Sequence, residues 1–233
     1  MLSLTMDPSS LSTGSLCSVS SISTTSRTVA ALYVDTARTA YRSLPNVKTF
    51  GFATRDGRQV DAFASTSDAR LYGGPWPVVA HPPCGPWGRF HWHYQGGEGD
   101  KDCGPVAIEQ ARKWGGVVEH PMASKLWKHL GLPLPGQHED QHGGRTVEIN
   151  QCDFGHPAIK PTWLYVVRAT LPQLPPPGEP THCMVRLRSN PHDLPEVPKR
   201  SRHITPPALA RWLVELAASA TAVLPSGHRV MYP

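Results

Sequence analysis

The tightest constraint on what this chain can fold into is a strand–helix–strand pattern between residues 76 and 121. Trp76-Pro77-Val78-Val79-Ala80 is a short, unbroken apolar run, the pattern of a strand buried on both faces of a parallel sheet. It ends in His81-Pro82-Pro83-Cys84, and a stretch rich in Gly, Trp and His follows, to residue 99. That stretch is too polar and irregular for core and predicts a loop over the sheet edge. Gly104-Pro105 predicts a helix start, because proline is pre-set for the first turn and has no amide to leave unpaired. Val106, Ile108, Ala111 and Trp114 give the helix an apolar side, and Gly115-Gly116 stops it. Val117-Val118-Glu119 is a second strand, ending in an acid before His120-Pro121. Strands joined in this way are parallel, with a right-handed crossover. Cys84 and Glu119 are therefore expected at one sheet edge, the edge where open α/β sheets bind ligands.

The rest of the chain extends this pattern. Residues 1–28 are rich in Ser and Thr with little apolar periodicity and read as a low-complexity, disordered leader. Residues 30–35 read as a strand ending at Asp35, residues 36–44 as a short helix, and 45–58 as loop with a turn at Asp56-Gly57. Residues 60–64 suggest another strand. A short helix is expected over 123–130, and strands over 145–152 and 159–167 around a turn at Asp153-Phe154-Gly155-His156-Pro157. Residues 172–200 form a Pro-rich insertion. A final helix is expected from Thr205 as cap with Pro206 in its first turn. Its buried stripe is Leu209, Trp212, Leu213 and Leu216. One α/β domain over residues 29–220, with a tail from 221 to 233, accounts for the chain.

Composition narrows the partners. The net charge is +5 and the sequence pI about 9.1, which suits a polyanion such as DNA or a nucleotide. No apolar run is long enough to span a membrane, and the N-terminus lacks the features of a signal peptide. The five cysteines are odd in number and widely spaced, which favours reduced thiols and a cytoplasmic protein over a disulfide framework.

Four groups of residues carry candidate chemistry. Two prolines fix the backbone before Cys84, so a thiolate there would be held rigidly at the sheet edge; the alternative is an inert cysteine in a tight turn. Glu119 at a strand end either needs a buried partner or serves as a functional acid, for instance on a ring nitrogen. The turn from Gln151 to Thr162 carries Asp153, Gly155, His156 and Lys160, and its cation suits a phosphate as well as it suits an ordinary turn. His81, Cys84, His91, His93 and Cys103 contain enough donors for zinc, but their spacing fits no established zinc pattern. Neither a phosphate-cradling Gly-x-x-x-x-Gly-Lys run nor a Gly-x-Ser-x-Gly elbow occurs.

In order, these pieces resemble the cytosine-C5 DNA methyltransferases, in particular short phage-type relatives with a His-Pro-Pro-Cys loop. Residues 78–84 resemble their Pro-Pro-Cys nucleophile loop. Val117-Val118-Glu119-His120-Pro121 resembles their Glu-Asn-Val element. Residues 150–157 resemble their Asp-Tyr-Gly-like hairpin turn, and residues 202–210 the segment returning the chain to the core. The resemblance covers roughly residues 30–215. It implies a small Rossmann-like, mostly parallel sheet with an antiparallel edge hairpin. It also implies S-adenosylmethionine as methyl donor, Cys84 as nucleophile on cytosine C6, and Glu119 on the ring nitrogen and exocyclic amine. Pro82, Pro83, His120 and Lys160 would lie at the substrate, and Asp35 at the cofactor. The sequence departs from the family in several places. Val34-Asp35-Thr36-Ala37-Arg38 stands where a Phe-x-Gly-x-Gly turn is expected. Gly85-Pro86-Trp87-Gly88 replaces Gln-x-Phe-Ser, Glu-His-Pro replaces Glu-Asn-Val, and Lys160 stands in place of paired arginines. The Pro-rich stretch between the hairpin and the last helix leaves little room for a target-recognition domain. Two other functions remain open on these residues: a nucleic-acid-binding module that keeps the scaffold without catalysis, and a zinc-binding protein.

Overall fold

The computed structural model of the chain describes residues 27–36, 38–51, 68–97, 99–184 and 194–221. The leader, the turn at Asp56-Gly57, the strand expected over 60–64, part of the Pro-rich insertion and nearly all of the tail lie outside the described residues. Six strands form one sheet: β1 (Val29–Leu32), β2 (Val47–Phe50), β3 (Val78–Ala80), β4 (Gly116–Pro121), β5 (Gly144–Asn150) and β6 (Pro161–Val167). Their order is β2-β1-β3-β4-β6-β5. The first four are mutually parallel, and β6 runs antiparallel to both β4 and β5. The fold is thus α/β and Rossmann-like, a mostly parallel sheet closed by an antiparallel hairpin.

Helix α1 (Asp100–Trp114) covers one face and α3 (Pro207–Ala218) the other, while the short α2 (Lys125–Leu130) follows β4. The two-residue period of the strands divides their side chains between the faces. Ala30, Leu32, Val78, Ala80 and Val118 pack with Cys103, Ala107, Ile108 and Ala111 of α1. Val29, Ala31, Val79 and Val117 pack with Leu209, Leu213 and Leu216 of α3. Burial on both sides explains why these strands read as continuous apolar runs. Each large side chain sealed in this way contributes about 1.5–3 kcal/mol.

The structure departs from the sequence expectations in several elements: the strand expected over 30–35 ends at Leu32, and the helix expected over 36–44 is a single 3-10 turn, Ala40–Ser43. Residues 47–50, expected as loop, form the edge strand β2, half-exposed and short. Helix α1 starts at Asp100 rather than at Gly104, with Gly99 at its N-terminus in the left-handed region (φ 87°), which puts Pro105 inside the helix. Thr205 does not cap α3, whose N-cap is Pro206, without a side-chain hydrogen bond. At the junction of β3 and β4, Gly116 has φ 115°. A Cβ placed there would lie 2.0 Å from the Val78 carbonyl oxygen. Only glycine allows the two strands to pair at this point.

Candidate functional site

The chain enters β1, goes to β2 on one side and later to β3 on the other, so the strand order reverses between β1 and β3. The carboxyl ends flanking this switch point carry Tyr33-Val34-Asp35 and His81-Pro82-Pro83-Cys84. Ligands of open α/β sheets enter the crevice at such a point. β4 lies next to β3, with Ala80 opposite Val118. The residues after β3 and at the end of β4 therefore meet at one edge, as the strand–helix–strand pattern predicts. The hairpin brings Asn150, Gln151, Lys160 and Thr162 to the same edge, because Pro121 pairs with Thr162 and Asn150 with Pro161.

Glu119 is the centre of a hydrogen-bonded chain. His81 Nδ1 lies 2.9 Å from Glu119 Oε2, and Tyr41 Oη lies 2.7 Å from His81 Nε2. On the other side, Gln151 Nε2 donates to Glu119 Oε1 at 2.9 Å and to Thr162 Oγ1 at 3.1 Å. Thr162 in turn donates to the Lys160 carbonyl at 3.0 Å. Both carboxylate oxygens are engaged. Burial pushes the Glu119 carboxyl up, but the His81 hydrogen bond and the charges of His81, Lys160 and His120 outweigh it and hold it down at about 2. Glu119 is a fixed, ionised, nearly buried anion.

Cys84 is exposed, in a tight turn. Cys103, Cys152 and Cys183 are buried. Closely surrounding protein raises the Cys84 thiol, and the Glu119 charge raises it further, while Lys160 pulls it down. Its backbone is tied, with the Cys84 carbonyl accepting from Trp87 N–H at 3.1 Å and Gly88 N–H at 2.7 Å. Trp87 is the buried anchor of this loop. Its carbonyl accepts from Lys125 N–H at 2.9 Å, and its Nε1–H donates to the Lys101 carbonyl at 3.2 Å. That carbonyl is the one Pro105 would serve if it had an amide. A Cβ at Gly104 would lie 3.0 Å from Trp87 Nε1. Gly104-Pro105 is thus the seat of the Cys84 loop rather than a helix start.

The remaining expected site residues are spread more widely. Pro82 is buried and Pro83 half-buried beside Cys84. Lys160 is half-buried and close enough to act on the charge of both Cys84 and Glu119. His120 is fully buried on the opposite face of β4 from Glu119, 6.2 Å from the Trp127 ring and beside the Pro83 backbone. It has no solvent-exposed surface. Asp35 is exposed beyond β1, with its carboxylate accepting the Arg38 N–H at 3.0 Å. Next to it, Thr36 Oγ1 is buried without a hydrogen-bond partner among the described residues. The proposed zinc donors do not come together. His81 faces Glu119 and Tyr41, His91 faces Lys125, and Cys103 points back to the Gly99 carbonyl. Among the described residues no three His, Cys, Asp or Glu side chains form a group able to hold a metal. Tyr41, and His81 as a partner of Glu119, were missed in the sequence, because nothing in it ties residues about 40 positions apart.

Two predictions follow from these charges. Alkylation of Cys84 by iodoacetamide, followed by peptide mass mapping, is expected to keep accelerating above the pH range of an ordinary thiol (about 8.5). Glu119→Gln removes a negative charge and speeds the reaction at fixed pH, whereas Lys160→Gln slows it. Rates independent of both substitutions would refute this electrostatic account. The second prediction concerns stability. Burial lowers His120 from 6.5 to about 4 against the opposing pull of Glu119. Between these values the unfolded chain binds a proton that the native one does not, so stability falls as pH drops through this window, by about 3 kcal/mol when fully developed. The Glu119 contribution is lost lower, between its ordinary value of 4.5 and about 2. His120→Phe is expected to flatten the dependence of urea unfolding on pH between 7 and 4 and leave the lower loss in place; an unchanged slope would rule it out.

Among the described residues no helix is long and apolar enough to cross a membrane. No protein-family model matches the chain, and no curated protein or solved structure matches it either.

Proposed function

We propose that the protein is a methyltransferase-like enzyme that modifies a pyrimidine, at cytosine C5, in DNA or a nucleotide through the thiol of Cys84. The observation that carries this reading is the juxtaposition at one sheet edge of an exposed cysteine, on a proline-fixed and tryptophan-anchored loop, with an ionised glutamate fixed at both oxygens. The mostly parallel sheet with its antiparallel hairpin is the architecture that the resemblance implies.

The chemistry is covalent catalysis. Cys84 Sγ gives up its proton to solvent base and adds to cytosine C6. The electron pair moves to C5, which becomes the nucleophile, while the ring nitrogen takes a proton from water and the Glu119 carboxylate, with His81 behind it, stabilises the positive charge this proton brings. Once C5 has gained its new substituent, a base removes the C5 proton, the C5–C6 double bond re-forms and Cys84 leaves as thiolate. S-adenosylmethionine, when bound, would supply the methyl group. At the turn after β1 the exposed Asp35 carboxylate would complement the positive charge of such a donor. The turn offers no glycine cradle.

Addition of Cys84, protonation of C5 by water, loss of the original C5 hydrogen and departure of Cys84 need no methyl donor. The test is therefore release of tritium from C5-tritiated cytosine, free and in oligonucleotides, with and without S-adenosylmethionine, alongside calorimetric titration of that donor. Tritium release that depends on the protein supports the reading, and saturable binding of the donor near one equivalent supports its methyl chemistry. A folded protein that releases no tritium from any of these substrates refutes it.

A further inference from the structure

The loop that leaves Cys84 displays a row of aromatic and basic side chains: Arg89-Phe90-His91-Trp92-His93-Tyr94. Phe90 is 54% and Trp92 61% exposed, large values for rings of this size. Their centroids lie 5.9 Å apart in an edge-to-face contact, and the Arg89 guanidinium lies 5.8 Å from the Phe90 centroid. The loop is braced at both ends. Trp87 anchors its start. Tyr94 lies where a Cβ on Gly85 or Gly96 would be, and donates its hydroxyl to Asp100. Asp100, buried, also accepts the Gly97 N–H at 3.0 Å, so its charge is spent inside the loop rather than displayed. Lys125 stands at the tip, with Nζ 3.0 Å from His91 Nε2. Exposed rings among cations, on a loop braced at both ends, make a surface unsuited to water and suited to flat, stackable groups strung on phosphates.

We infer that this loop is a stacking platform for single-stranded nucleic acid, with bases on Trp92 and Phe90 and phosphates beside Arg89 and Lys125. Stacked bases in a duplex do not offer their faces to such rings, so the platform selects strands whose bases are already unpaired. The inference rests on the reading that the modified base lies in a polynucleotide, and it makes unpaired strands the substrate class.

The test is fluorescence anisotropy of the full chain with a labelled 15-mer of mixed sequence, as single-stranded DNA, single-stranded RNA and duplex DNA, across a salt series. Single strands are expected to bind at least tenfold more tightly than duplex. Trp92→Ala and Phe90→Ala should each weaken single-strand binding by about 5- to 100-fold, at unchanged thermal midpoint, since stacking contributes about 1–3 kcal/mol per base. Arg89→Ala should reduce the salt slope. Equal binding of duplex, or aromatic variants that bind like wild type, would overturn the inference. So would sedimentation showing that Trp92→Ala only abolishes self-association, which would make the face an interface between copies. Binding and tritium release, measured side by side on the wild-type chain, separate the two proposals. If oligonucleotides bind but no tritium is released by wild type, the enzyme reading fails and the platform stands. If tritium is released from free nucleotides but no oligonucleotide binds, the platform fails and the enzyme reading stands.

Discussion

Gly116→Ala is expected to leave the chain unfolded. The new methyl group would lie 2.0 Å from the Val78 carbonyl oxygen, 2.7 Å from its nitrogen and 2.9 Å from its carbonyl carbon. These are backbone atoms of β3, the strand between β1 and β4, and no rotamer change relieves the clash. The φ of 115° adds strain of about 1–3 kcal/mol for any L side chain. Separating β3 from β4 at the start of their pairing would also loosen the register that brings the Cys84 loop and Glu119 together at the other end of the two strands. A loss beyond about 4 kcal/mol is expected, read as an absent unfolding transition in circular dichroism. Gly131→Ala is the matched control. It too has positive φ, 61°, at the end of α2, but nothing lies within 4 Å of its Cβ position, so it should cost only about 1 kcal/mol. Equal behaviour of the two variants would show that strand proximity is not the cause.

Cys84→Ser should abolish tritium release from cytosine C5, by at least about a thousandfold, the scale of losing a nucleophile. A hydroxyl is far less acidic than a thiol and adds poorly to C6. The substitution is nearly isosteric at an exposed position, so the thermal midpoint should not move and oligonucleotide binding should persist. Cys152→Ser provides the comparison: that thiol is buried and its substitution is expected to leave release intact. Release that survives in Cys84→Ser would remove Cys84 from the chemistry altogether.

The sequence made the sheet edge legible because the edge depends on local signals. An apolar run, a helix with one apolar side and a second apolar run suffice to bring the ends of β3 and β4 together, and the stripe of α3 is equally local. The start of α1 was misread because Gly104-Pro105 has the composition of a helix N-terminus, whereas its context is tertiary, a tryptophan 18 positions back. β2 escaped notice because four residues with one exposed edge carry little periodicity. The partners of Glu119 were hidden for a related reason. Tyr41, His81 and Gln151 come from three separate connections, and only strand order makes them neighbours. His120, read as a substrate contact from its place beside Glu119, lies on the other face of β4, since consecutive strand residues point in opposite directions.

The indole of Trp87 and the carbonyl of Lys101 give the loop and the helix a common fate. Helix α1 cannot complete its own ladder at Pro105, and the vacancy is filled from outside by the segment that carries Cys84. Opening of that segment therefore exposes a hydrogen-bond deficit in the first turns of α1, and fraying of α1 releases the segment. The two are expected to open as one cooperative unit, which would give Cys84 the local stability of a 15-residue helix instead of that of a surface loop.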